Sequence, residues 1–188
     1  SQILLTLDDT EQRRRSINAR RTIDTLLKLG IVPVVNENDT IATTEIRYCD
    51  NDRLASRVAQ ISSSDCLILL SNINGLYSAD PTNGEDIKLI PTVNEIDQDI
   101  EKMIGESISE YGKGGMKTKI QAAKTAMLSG CHLAITNGSI MKPIRSLFEG
   151  RPCTWFEPNK SPMAARKQWI AGTMNPVGKI VIDQGAVD

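Results

Sequence analysis

The sequence predicts an α/β protein: a three-layer α/β/α sandwich around a mostly parallel central sheet. Two observations carry this. Short runs that are apolar throughout recur along the chain: QILLTL at 2–7, IVPVVN at 31–36, CLILLS at 66–71 and CHLAIT at 131–136. Between them lie longer segments with helical spacing and helical stop signals. Strands without an alternating polar face are buried on both sides, and strands that alternate with helices pair in parallel.

The elements follow in order. After QILLTL, Asp8, Asp9 and Thr10 offer N-caps to a long helix running to about Leu29, with Gly30 as its stop. Ala19, Ile23, Leu26 and Leu27 form its apolar face. IVPVVN is the second strand, and a polar loop follows it. Asp50 or Asn51 then caps a helix with Leu54, Val58 and Ile61 at helical spacing. CLILLS is the third strand, and NINGLYSADPTNG after it is a turn-rich loop. IKLIPTV at 87–93 is a short strand, a helix covers about 94–104, and residues 105–119 are Gly-rich. KIQAAKTAMLSG is a helix ending at Gly130, CHLAIT is the fourth strand and PIRSLFEG a short helix. TWFEP at 154–158 ends the unit; beyond it, SPMAARKQWIAG predicts a short helix and VGKIVIDQGA a strand and turn.

Composition narrows the functional classes. A hydrophobic share of 40% in 188 residues supports one substantial core, which the 4% of aromatics leaves to aliphatic side chains. A net charge of -1 gives no global attraction to nucleic acid or membrane. The one basic cluster, Arg13, Arg14, Arg15, Arg20 and Arg21, has flanking acids and no interleaved aromatics, as on a solvated helix face. Cys49, Cys66, Cys131 and Cys153 have no C-x-x-C spacing; they read as reduced thiols of a cytoplasmic protein, with Cys66 and Cys131 in the core. No apolar stretch reaches the ~18 residues of a membrane span. The single His132 stands beside a strand and reads as structural, which leaves a Ser–His or Cys–His mechanism without support.

Polar residues gather where an open parallel sheet binds ligands, at the carboxyl ends of strands. Asn36 to Asp39 follow the second strand, Ser71 and Asn72 the third, Asn137 and Gly138 the fourth. GKGGMKTK at 112–119 adds Lys113, Lys117 and Lys119 around Gly114 and Gly115, which permit positive φ and close backbone approach to an anion. The helix starting nearby adds its positive end. This is not a Walker A loop, and a Gly-Gly beside lysines equally describes a basic surface loop. CDND at 49–52 has more polar residues than one helix cap needs. An Asp there can orient lysines around a phosphoryl group or hold a hydrated Mg²⁺, and Asn51 can bind a substrate carboxylate or amine. Together these groups suit phosphoryl transfer by positioning and charge neutralisation.

In order along the chain, IVPVVNENDTIATTEI, CDNDRLAS, LILLSNINGLYSADP and GKGGMKTKIQAAKTAMLSG resemble the glutamate 5-kinases. These are a branch of the amino-acid kinase family and form the kinase half of pyrroline-5-carboxylate synthase. NEND and DND are specific to that branch; GLYSADP and GGMKTK are shared more widely. The resemblance implies the amino-acid kinase fold and ATP-dependent phosphorylation of L-glutamate to γ-glutamyl phosphate, the first step of proline biosynthesis. It implies Asp39 and Asn51 as glutamate-binding residues, with Asn36 and Asp52 nearby. It implies Asp50 as the organiser of the catalytic lysines and Lys119 as the lysine that stabilises the transferring phosphoryl group. Ser71, Asn72, Lys113, Gly114, Gly115, Met116, Lys117, Thr118 and Lys119 are the implied nucleotide-binding residues. Mg²⁺ would arrive with ATP, with no metal site on the protein itself. The resemblance further implies proline as feedback inhibitor and dimers or tetramers; the charge balance and the lack of a long apolar stretch argue against membrane and nucleic acid as partners.

Residues 1–158 correspond to an amino-acid kinase domain lacking its N-terminal portion, including the strand and turn that bear a second lysine and a Ser-Gly segment. Residues 159–188 correspond to a linker and the first strand of a truncated PUA-like domain. Cys49 stands where the family usually has Gly, and Lys113 where it often has Thr. The alternatives are an amino-acid kinase acting on acetylglutamate or aspartate, and a non-catalytic module that binds glutamate or proline.

Overall fold

The computed structural model describes residues 1–38, 51–79, 87–101, 115–161 and 163–165. In chain order the elements are β1 (Gln2–Leu5), α1 (Leu7–Glu11), α2 (Arg13–Lys28), β2 (Val34–Glu37), α3 (Asn51–Ser62), β3 (Cys66–Ser71), β4 (Thr92–Val93), α4 (Met116–Leu128), β5 (His132–Asn137), α5 (Pro143–Phe148) and β6 (Cys153–Phe156).

The strands alternate with helices and pair mostly in parallel, as expected. β1 and β2 form a parallel pair with Leu4 opposite Asn36. A second sheet has the order β3-β5-β6-β4. In it β3 and β5 run parallel with Ser71 opposite Asn137, and β4 and β6 run parallel. β6 is antiparallel to β5, so this sheet is mixed. The helix α5 lies in the connection between β5 and β6.

Two apolar clusters hold the layers. The larger joins Leu69, Leu133, Ile135 and Phe156 of the sheet to Ala59 of α3 and Ile120, Ala122, Ala123 and Ala126 of α4. The alanines let α4 lie close to its neighbours, and Ala123 and Ala126 have no exposed surface. The smaller cluster joins Leu5, Ala19 and Leu54, with Ile3, Val35, Val58 and Ile61 against it. Helix α3 serves both: Leu54, Val58 and Ile61 pack toward β1–β2, while Ala55 and Ala59 pack toward α4 and β3.

Several expectations are corrected. The long helix from Asp8 is two helices, because Gln12 adopts an extended ψ of 120. The first is capped one turn earlier than expected: Asp9 Oδ2 accepts the Thr6 N–H at 2.7 Å and the Thr6 hydroxyl at 2.7 Å. Gly30 does end the second, at φ 70, with its N–H donating to Leu27 O at 2.9 Å. Leu27 is exposed, because Ala19, Ile23 and Leu26 define the inward stripe and Leu27 lies one residue out of phase.

β1 and β2 are covered on one face, not two. Leu4 is 43% and Val34 62% exposed, on the face opposite Ile3, Leu5 and Val35, and no described element covers them. The 87–93 strand shrinks to Thr92–Val93, preceded by Pro91, which has no N–H for a ladder. Of the helix expected over 94–104, residues 94–97 are not helical, residues 98–101 are, and 102–104 lie outside the described residues. Cys131 is buried as expected, but Cys66 opens β3 on the surface. Residues 163–165 are helical, and the expected PUA-like strand lies outside the described residues. No helix among the described residues is long and apolar enough to cross a membrane.

Candidate phosphoryl-transfer site

Helices α3 and α4 each feed the strand that follows through a tight turn, so each runs antiparallel to it. α3 has 12 residues and β3 has 6. At 1.5 Å per helical residue and about 3.3 Å per strand residue, both span roughly 18–20 Å. The first turn of α3 is therefore level with the carboxyl end of β3, and the same reasoning places the first turn of α4 beside the carboxyl end of β5.

The two first turns touch. The Lys119 ammonium donates to Asp52 Oδ2 at 2.7 Å, with only 14% and 17% of the two side chains exposed. The Thr118 hydroxyl also reaches Asp52 Oδ2, at 3.4 Å, and Gly115 O at 2.9 Å. A partly buried pair is screened less than a surface pair, and one hydrogen-bonded by a third group is held in one geometry. Both helix starts lie beside this pair, and the positive ends of the two helix dipoles favour an anion there.

α4 begins at Met116, so GMKTK is the N-cap and first turn of the helix rather than a loop before it. Gly115 is the N-cap at φ -61, an ordinary value, so positive φ is not its purpose. A Cβ on Gly115 would meet nothing within 4 Å among the described residues, so space does not require glycine there either. Met116 packs its side chain against the main core. Lys117 is exposed and Thr118 half-buried.

The second group of polar residues stands at the ends of β3 and β5. Ser71 Oγ donates to Asn72 Oδ1 at 3.3 Å. Gly138 N–H donates to Ser71 O at 2.7 Å, so the β5 exit is stitched to the β3 exit. A Cβ on Gly138 would lie 2.8 Å from Leu70 Cβ, so this approach requires glycine. Asn137 turns back and accepts the Ser139 N–H at 2.8 Å. Asn36 sits exposed on β2 and Asn51 exposed at the start of α3. Asp39, Asp50, Lys113 and Gly114 lie outside the described residues. Sequence reasoning did not single out Thr154, a buried hydroxyl that bonds the loop after β3; a lone Thr in a strand carries no sequence signal.

The described residues contain no group of three or more His, Cys, Asp or Glu able to hold a metal ion. The arrangement is instead one of cations, helix starts and hydroxyls: it can hold a polyanion and neutralise charge moving across it.

Residues 1–137 match the model of the amino acid kinase family. A glutamate 5-kinase of Pelagibacter ubique is 60% identical over 186 residues, covering 99% of this chain and 50% of the relative. A glutamate 5-kinase of Paramagnetospirillum magneticum is 56% identical over the same length and shares. The chain thus spans about half the length of the curated relatives it matches. Among solved structures, a carbamate kinase from Giardia lamblia bound to AMP-PNP aligns with a TM-score of 0.53 at 19% identity, covering 74% of this chain and 49% of that one. With the family model matched over residues 1–137, the chain belongs to the amino acid kinase family.

Proposed function

We propose that this chain carries the catalytic centre of a glutamate 5-kinase, transferring the γ-phosphoryl group of MgATP to the γ-carboxylate of L-glutamate. The observation that carries the reading is the Lys119–Asp52 pair at the joined starts of α3 and α4. The nature of the acceptor is supported by the relatives named glutamate 5-kinase.

A γ-carboxylate has a pKa near 4.3 and is ionised at neutral pH, so the acceptor needs no general base. One of its oxygens forms a bond to the γ-phosphorus while the bond from that phosphorus to the bridging oxygen breaks. The electron pair leaves with ADP, and the products are ADP and γ-glutamyl phosphate. Charge spreads over the phosphoryl oxygens in transit, and Lys119 is the cation placed to meet it. Asp52 holds the ammonium so that no reorganisation is needed during the reaction. The N–H groups opening α4 and the Ser71–Asn72 turn bind the nucleotide; Asn51 and Asn36, with Asp39 and Asp50, bind glutamate or support the lysine. Mg²⁺ enters as part of the nucleotide substrate, since it keeps several waters and binds chiefly phosphate oxygens.

Residues 1–158 form the kinase portion in this reading, and 159–188 lead toward a PUA-like domain. Proline inhibition, a dimeric or tetrameric assembly and a cytoplasmic location belong to the same proposal. Trapping the acyl phosphate with hydroxylamine in the full-length protein tests the reading. Hydroxamate that needs both ATP and L-glutamate, and disappears in K119A, is the expected result. Product with acetylglutamate or aspartate instead would move the protein to another branch; glutamate-induced stabilisation without turnover would make it a binding module.

A further inference from the structure

Thr154, on β6, has no exposed surface. Its hydroxyl accepts the Leu76 N–H at 2.8 Å and donates to Ile90 O at 2.7 Å. Ile90 N–H in turn donates directly to Leu76 O at 2.8 Å. Leu76 and Ile90 thus face each other with one direct bond, while the reciprocal bond passes through the threonine hydroxyl. Farther out, the two segments continue as an arm: Tyr77 bridges Leu89 in antiparallel fashion, and Ser78 N–H donates to Lys88 O at 2.9 Å.

Gly75 makes this contact possible. A Cβ there would lie 2.3 Å from Thr154 Oγ1 and 2.9 Å from Thr154 N. The arm leaves β3 through Ser71 and Asn72, so its root at Gly75–Leu76 sets the direction of that turn. Gly138 fixes the other side through Ser71 O. We propose that Thr154 is a positioning residue for the nucleotide, fixing the Ser71–Asn72 turn through Gly75 and Leu76. The proposal rests on the nucleotide-binding reading of Ser71 and Asn72 given above. A hydroxyl is needed because the relay requires one donor and one acceptor on the same atom; valine has the same shape and neither, and would leave Leu76 N–H and Ile90 C=O buried without partners.

T154V and T154S in the full-length protein test this by steady-state kinetics with ATP and glutamate varied separately, together with hydrogen exchange at the Leu76 amide. T154V is expected to raise KM for ATP about tenfold and leave KM for glutamate within about twofold, while T154S stays close to wild type. The Leu76 amide exchanges faster in T154V alone. G75A approaches the same contact from the other side and keeps the test open if T154V does not fold; it should raise KM for ATP in the same selective way. A lowered Tm with KM for ATP unchanged would overturn the positioning role, leaving Thr154 a structural residue. Unchanged exchange at Leu76 in T154V would overturn the relay itself. A wild-type protein without saturable dependence on ATP would instead overturn the nucleotide reading on which the proposal stands.

Discussion

Asp52 and Lys119 are 67 residues apart in the chain and 2.7 Å apart in space. The lysine was legible from its place in GGMKTK, but its partner was not. Asp50, Asn51 and Asp52 are consecutive, and the carboxylate that meets the lysine depends on the rotation of α3 against α4. That rotation is set by Leu54, Ala55 and Ala59 finding their two cores, a tertiary fact that no local pattern encodes. The burial of Cys131 was legible, since it enters an apolar strand. Burial pushes its thiol from 9.0 up to about 12, with Cys66 and Asp65 adding to the rise. The folded state therefore favours the neutral thiol. Its contribution to stability is complete below the unfolded value of 9.0 and is lost as pH climbs toward about 12. Thermal melts of C131A should decline less steeply than wild type across that alkaline window; parallel decline would mean that other groups govern it.

The helices and strands with strong periodicity were legible in place and order; their ends and exposures were less so. KIQAAK announces α4, yet the helix starts at Met116, because the polar Lys117, Thr118 and Lys119 separate Met116 from the apolar rhythm and its docking into the core is a tertiary contact. Gln12 breaks the first helix without a Gly or Pro to mark it. Gly30 and Gly130 did mark ends correctly, both at positive φ. G130A should cost about 1 kcal/mol, since alanine must take the left-handed conformation that glycine takes freely. Urea unfolding reads this as a lower midpoint with an unchanged slope. The antiparallel β6 shows only in the pairing of Trp155 with both Ala134 and Thr92, contacts far beyond any local window.

At the scale of the molecule, two sheets share one helix. α3 packs on β1–β2 with one side and on α4 with the other, so the element that opens with Asp52 also joins the two cores. Small movements between the cores would act directly on the Asp52–Lys119 pair, tying the stability of the site to that of the fold. Alternating strands and helices made this architecture readable, whereas the open face bearing Leu4 and Val34 was not, because an apolar strand reads the same whether or not a second layer covers it. The central claim is that Asp52 pre-positions Lys119 for the transferring phosphoryl group, and D52N tests it most directly, being nearly isosteric and removing the charge. Measured as kcat and KM in the full-length protein, D52N should lower kcat by about 10²-fold or more with both KM values within about threefold. A kcat within about twofold of wild type in a folded D52N protein would contradict the account.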